Sequence, residues 1–230
     1  MKNYKSNINY FMKWEGLKTL GFGLLIAGFG GLWLAPALHL FLFYILGPIF
    51  LVAGGVLFLL GNIGRSTEEE IKTEIARRSE GIEFPEVEKE RHFYKRVPAK
   101  PEILDFSGFV LSEGLLLKRM KNGSVCSSEY SLAKVFLLTD AFYAKTRTFS
   151  LVSDAAEEDT VEIPFASVED VAVLRGAKDL PCGKKVFSVK TCHLVIVFDG
   201  KKLCLPATDD VYVDELAARL KTLAEKGKAE

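Results

Sequence analysis

"LWLAPALHLF", residues 32–41, sits in the middle of the most apolar part of this chain, and its reading decides the fold. Two readings compete. Ala35-Pro36-Ala37 is a small-x-small triplet of the kind that signal peptidases cut after. Pro36 and His39 equally suit a turn between two membrane helices. The run around them has no Asp, Glu, Lys or Arg from Thr19 to Gly64, 46 residues in all. As one helix it would extend roughly 69 Å at about 1.5 Å per residue, against a bilayer core of about 30 Å. Two spans fit where one does not. Proline lacks an N–H and disfavours a helical residue before it, so the break is placed at Pro36 to His39. Span one is expected over Thr19 to Ala35 and span two over Leu40 to Ile63. Cleavage after Ala37 is the weaker reading. Leu40 begins another apolar span, and the peptidase would have to work flush against the bilayer.

Basic residues orient the hairpin. Lys2, Lys5, Lys13 and Lys18 precede span one, against Glu15 alone, and Arg65, Lys72, Arg77 and Arg78 follow span two. The connector has no Lys or Arg. The positive-inside rule then predicts a multi-pass protein of the cell membrane with both termini cytoplasmic. Trp14 and Trp33 suit the two interfaces. Gly23, Ala27 and Gly31 recur every four residues, and Gly47, Gly54 and Gly61 every seven. Small residues let helix backbones approach closely where lipid gives no hydrophobic drive. These two faces are expected to meet within the hairpin; contact between copies is the alternative. With no Asp, Glu, Lys or Arg in either span, a proton relay or ion path has no obvious carrier.

After Gly64 the chain is richly charged. Lys plus Arg and Asp plus Glu both number 30, so net charge gives no argument for nucleic acid. Ser66-Thr67-Glu68-Glu69 reads as a capping box opening a helix. Arg77 and Arg78 fall in its last turn and Gly81 can end it. Its apolar residues are few, chiefly Ile71 and Ile75, so a solvated juxtamembrane spacer is expected. Pro85, Pro98 and Pro101 then mark an irregular linker. It carries Lys89, Arg91, His92, Lys95, Arg96 and Lys100 around Phe93 and Tyr94. Contact with anionic headgroups is one reading. A solvated linker balanced by Glu86, Glu88 and Glu90 is the plainer one. The chain thus divides into an N-terminal segment (1–18), the hairpin (19–64), a charged helix and linker (65–102) and a C-terminal domain (103–230).

That domain alternates apolar and polar residues in short runs. "GLLLKRMKNGSV" is a strand followed by Asn122-Gly123, a strong hairpin dipeptide. "AKVFLLTDAFYAKTRTFSL" reads as two strands hinged at Thr139-Asp140. "TVEIPF", "VEDVAVL" and "KKVFSVKT" add three more, and "HLVIVFDGKKLCLPA" is a hairpin around Asp199-Gly200. About seven strands at regular spacing are consistent with a sandwich or small barrel. A final helix, capped by Thr208 or Asp209, shows Val213, Leu216, Ala217, Leu220 and Leu223 on one face. The fold class is therefore α+β: a transmembrane helical hairpin, then an antiparallel β-domain closed by an amphipathic helix.

The run from "VFLLTDAFYAKTRTFSL" through "VEIPFASVEDVAVLRG" to "HLVIVFDGKKLCLPATDDVYVDELAARL" resembles bacterial PH-like and GRAM-like domains. Leu138-Thr139-Asp140 matches their first hairpin, and Ile163 to Val171 their following apolar stretch. The resemblance covers roughly Ile103 to Leu223 and implies a PH-like barrel that docks lipid or protein, often beside membrane helices. It also implies where a phosphoinositide would bind, in a basic loop between the first strands. Here Lys118, Arg119 and Lys121 flank Asn122-Gly123, with Lys145 and Arg147 on a later strand. Clustered cations can hold phosphates by charge-assisted hydrogen bonds. A solvated hairpin tip is the plainer reading of the same residues.

No catalytic motif stands out: there is no G-x-S-x-G, H-E-x-x-H or P-loop. Cys192-His193 has the residue types of a nucleophile and base, but neighbours on a strand point to opposite faces. Cys126, Cys182, Cys192 and Cys204 form no C-x-x-C pair or zinc spacing. No cofactor or metal is expected. The reading is a non-enzymatic docking module held at the inner leaflet, with anionic lipid, a protein partner or a second copy as candidate ligands. An accessory subunit of a larger membrane complex, and a membrane-bound hydrolase or transferase with an unrecognised site, are the alternatives.

Overall fold

The computed structural model describes residues 4–12, 16–38, 41–81, 102–182, 185–209 and 211–229. Trp14, His39, Leu40 and the basic linker from Lys89 to Lys100 lie outside the described residues. The chain forms two compact units, Met1–Thr67 and Glu68–Glu230.

The first unit holds α1 (Lys5–Met12), α2 (Gly16–Leu38) and α3 (Phe41–Asn62). Two stretches, Gly16–Pro36 and Phe41–Gly61, are long and apolar enough to cross a membrane. The helix α2 does not break at Pro36 but continues through it to Leu38. In a lipid-like surrounding an early break would strand several backbone N–H and C=O groups. A proline in the last turn forfeits one N–H.

The two long helices run antiparallel and touch through glycine. A Cβ built on Gly21 would lie 2.5 Å from the Phe58 nitrogen, and one on Gly54 would lie 2.8 Å from the Gly21 oxygen. One on Gly28 would lie 2.9 Å from the Gly47 oxygen, and one on Gly61 would crowd Lys18 at 3.1 Å. The seam on α3 is thus Gly47, Gly54 and Gly61, and on α2 it is Gly21 and Gly28. The expected face of α2 differs. Gly23 has nothing within 4 Å, Ala27 is exposed, and Gly31 alone of that trio meets the partner helix, at the Phe43 ring. Seven residues make nearly two whole turns, drifting about 20°, so a seven-residue repeat stays on one seam. A four-residue repeat walks off it.

The short helix α1 lies within residues expected to form a plain segment. It packs where α3 ends. The Asn9 side-chain amide donates to the Gly64 carbonyl at 2.8 Å, and the Ser66 N–H donates to the Ser6 carbonyl at 3.1 Å. The Ser66 hydroxyl donates to Asn7 Oδ1 at 2.6 Å, which replaces the capping box expected with Glu69. Tyr10 is buried, with the Arg65 guanidinium 5.9 Å above its ring.

The second unit begins with α4 (Glu68–Ser79) and, among the described residues, continues with nine strands. Strands β1 (Ile103–Phe109), β4 (Glu129–Leu137), β5 (Ala141–Ser150) and β6 (Ala156–Pro164) form one antiparallel sheet in the order β1-β4-β5-β6. Strands β2 (Leu117–Arg119) and β3 (Val125–Ser127) form a separate hairpin. Its turn holds Gly123 at φ +87°, a conformation other side chains resist. Strands β7 (Val168–Cys182), β8 (Lys185–Phe198) and β9 (Lys201–Pro206) make a third sheet. Asp199 and Gly200 both have positive φ in the β8–β9 turn, as a two-residue type I′ hairpin requires.

Among the described residues the sheets are open, and no closed barrel is formed. The runs read as separate strands at "KKVFSVKT" and "HLVIVF" are one strand, β8, and its partner β7 extends past Leu174 to Cys182. Their far ends project as a two-stranded arm. Leu180 and Val189 on the arm bury Leu117 of the β2–β3 hairpin in a small second core.

The main core lies between the two larger sheets and is covered by α5 (Val211–Ala229). Strand alternation aims Leu104, Val135, Phe142, Ile163, Leu194 and Leu205 inward. Val213, Leu216, Ala217 and Leu220 of α5 close that core at helical spacing. The last turn of α5 approaches the 3-10 turn Phe165–Ser167, and a Cβ on Gly227 would collide with the Phe165 ring. Asp209, expected as a cap, instead accepts from Arg175 Nε at 2.6 Å.

The helix α4 is not a solvated spacer. It belongs to the second unit and is held by Arg78, whose side chain is only 10% exposed. Arg78 donates to the Ser150 carbonyl at 2.6 Å and the Ser153 carbonyl at 3.0 Å, and lies 5.6 Å over the Phe149 ring. Glu74 orients it from the preceding turn at 2.8 Å. Arg77, first, and then Arg78 hold the Glu74 carboxyl at a pKa of about 2, below its usual 4.5. Since the folded carboxyl titrates lower than the unfolded one, its stabilisation is full above pH 4.5 and is lost as pH falls towards 2. Protection of the Glu68–Ser79 amides, taken relative to their intrinsic exchange at each pH, should therefore fall in that acidic window in the native chain. In Glu74→Gln the same window should leave protection flat. An equal loss of protection in both proteins would remove Glu74 as the cause.

Candidate docking surface

The five cations singled out from sequence do not converge. Lys118 and Arg119 lie on β2, with Lys121 just beyond, while Lys145 and Arg147 lie on β5 in another sheet. The two on β5 are spent on Glu158. Arg147 Nε donates to Glu158 Oε1 at 2.6 Å, and Lys145 Nζ lies 3.8 Å from Glu158 Oε2. Arg147 also donates to the carbonyls of Arg78 and Glu80 at 3.1 and 3.3 Å, satisfying acceptors left at the end of α4. Their side chains are 13% and 19% exposed. At the hairpin tip, the Lys121 N–H donates to Glu68 Oε1 at 2.8 Å, so a carboxylate already stands beside the basic loop. Arg119 and Lys121 point to solvent, while Lys118 is half-buried on the other face of β2. This arrangement suits a solvated tip and a docked helix better than a phosphate cradle.

Cys192 and His193 also separate. Cys192 packs against the main core, so strand alternation sends His193 to the opposite face. Burial, and secondly the charge of Lys178, hold the imidazole below its usual pKa. A thiol and imidazole so placed cannot act as one pair. Among the described residues, no group of three His, Cys, Asp or Glu could hold a metal ion.

The feature that sequence reading missed is a groove beside β1. It has a volume of about 240 Å³ and lies between Ile103–Ser107 on one side and Pro206–Thr208 with Tyr212, Val213 and Leu216 on the other. Three facts of the fold create it. At one end, β1 and β9 converge: Gly108 faces Pro206 so closely that a Cβ on Gly108 would lie 3.0 Å from the Pro206 Cβ. At the other end, Arg219 of α5 forks onto the Glu102 carboxylate just ahead of β1, with Nη1 at 2.7 Å from Oε1 and Nη2 bonded to Oε2. Above, Arg175 of β7 clamps the start of α5, bonding Asp209 at 2.6 Å and Asp214 at 3.0 and 2.6 Å. That clamp lowers the Asp214 pKa. Between these fixtures the sheets stay apart. The only sequence signals were indirect: Gly108 in a strand and Pro206 ending one, which mark close approach and a strand edge.

No family model, curated protein or solved structure matches this chain.

Proposed function

We propose that this chain is a membrane-anchored, non-enzymatic PH-like module that docks a protein at the cytoplasmic face of the membrane. The observation that carries the reading is the order of parts. Two helices long and apolar enough to span lead into a four-stranded meander interrupted by one hairpin. A three-stranded meander and a core-covering helix follow. The late hairpin and final helix agree with the PH-like resemblance. Protein is favoured over lipid as the ligand because Lys145 and Arg147 are engaged by Glu158 and by α4. Tethering raises the effective concentration of the module near other membrane proteins, so a modest surface suffices.

A second reading, an accessory subunit of a larger membrane complex, is favoured by one observation. Gly23 and Ala27 face away from α3, which leaves a small-residue face on α2 for another span.

The test places photo-reactive residues at Glu157, Lys201 and Tyr212 in the full chain, one at a time, in native membranes. Protein adducts from at least one position are expected. Adducts to lipid alone, from all three, would overturn protein docking. A lipid-reading module would then be the better description.

A further inference from the structure

The backbone of β1 has a phase that leaves one edge open. Leu137 N–H donates to the Glu102 carbonyl, and Val110 N–H donates to the Glu129 carbonyl. In the antiparallel register of β1 with β4, these two bonds place the N–H and C=O groups of the even-numbered residues towards β4. Those of Ile103, Asp105 and Ser107 point the other way, into the groove. They have no hydrogen-bond partner among the described residues.

Other sheet edges are treated differently. Strand β6 carries Glu157, Glu158, Asp159 and Glu162, a charge density that repels added strands. Lys228 of α5 donates to the Val168 carbonyl at the start of β7. Strand β9 ends in Pro206 and abuts Gly108. The free edge of β1 instead faces an apolar floor of Phe106, Val213 and Leu216, with Ile103 46% and Tyr212 62% exposed at its rim. Exposed apolar side chains beside unpaired backbone groups are the chemistry of strand addition.

We propose that this groove takes an extended segment of a partner protein as an added strand beside β1, with apolar residues at alternate positions and a basic residue opposite Asp105. The inference rests on the docking reading and names its surface and the chemistry of the partner. Alternation follows from the phase. A residue opposite Asp105 shares its outward face, and its two neighbours turn into the apolar floor. The basic residue follows from charge. Asp105 stands at the centre of the edge, and its one ion pair among the described residues, to Lys134, is 3.8 Å long, beyond hydrogen-bond reach. The same carboxylate disfavours a second copy, since antiparallel self-pairing about the strand centre sets Asp105 against Asp105. The convergence at Gly108 limits the added strand to roughly five residues.

The test uses the full chain in nanodiscs of neutral lipid and two millimolar probes, acetyl-Val-Lys-Val-Lys-Val-amide and acetyl-Val-Glu-Val-Glu-Val-amide. Amide exchange is read over residues 102–110 and, as a control edge, 156–164. The lysine peptide should slow exchange of the Ile103, Asp105 and Ser107 amides about tenfold, and the glutamate peptide should not. Asp105→Lys, an exposed change, should reverse the preference. The proposal is overturned by no slowing with either peptide, by equal slowing with both, or by slowing confined to 156–164. If it falls while native-membrane adducts still form at Glu157 or Lys201, protein docking stands and only the assignment to β1 is lost.

Discussion

Arg78→Ala should destabilise the Glu68–Glu230 unit by about 3 kcal/mol and release α4 from it. Charged hydrogen bonds contribute about 1.5–3 kcal/mol each and a cation–π contact about 1 kcal/mol, less what is regained when α4 moves away and the exposed groups rehydrate. Arg78 reaches two carbonyls, that of Ser150 at the end of β5 and that of Ser153 on the loop after it, with one planar fork. Alanine leaves both acceptors unpaired, and Ser150 is a buried residue. It also uncovers the Phe149 ring. Lysine would restore the charge but not the fork, so Arg78→Lys should recover less than half of the loss. Thermal melting in detergent micelles gives the stability, and amide exchange over Glu68–Ser79 gives the docking. Unchanged exchange there in Arg78→Ala would show that α4 is held by other means.

The second large effect is expected inside the hairpin. Gly54→Val should cost about 2–3 kcal/mol or force the helices apart, because the new atoms meet backbone rather than side chain. The Gly54 Cβ would stand 2.8 Å from the Gly21 oxygen and 2.8 Å from the Leu25 nitrogen. Neither can swing aside without moving α2. Gly23→Val is the matched control. It lies on α2, an apolar helix of the same kind, with open space where its Cβ would go, and should change stability by less than about 0.5 kcal/mol. Spin labels on Leu20 and Leu59, both exposed, would report separation of the helices as a widened distance in Gly54→Val alone. If the two variants behave alike, the seam is not where the glycines place it.

Much of the architecture was legible in the residues. The charge-free run from Thr19 to Gly64 forced two helices, because hydrophobic length is a local property counted along one chain. The hairpins at Asn122-Gly123 and Asp199-Gly200 were legible because positive φ is a local demand that few residues meet. The inward face of α5 followed from helical spacing alone. What failed were statements about which surface meets which. Gly23 and Gly21 differ little as sequence, yet one faces outward and the other touches Phe58. Arg147 read as a free cation because its partners, Glu158 and the end of α4, lie 11 and about 70 residues away along the chain.

Sequence by itself therefore determined the number of apolar helices, the turns, the strand alternation and the identity of the last helix as a core cover. Those depend on length, period and backbone chemistry within short windows. Only the tertiary structure decided that α4 is part of the β-domain, that Arg147 is consumed in holding it, and that β1, among the described residues, keeps an open edge beside α5. Each of these depends on a distance between residues far apart in the chain.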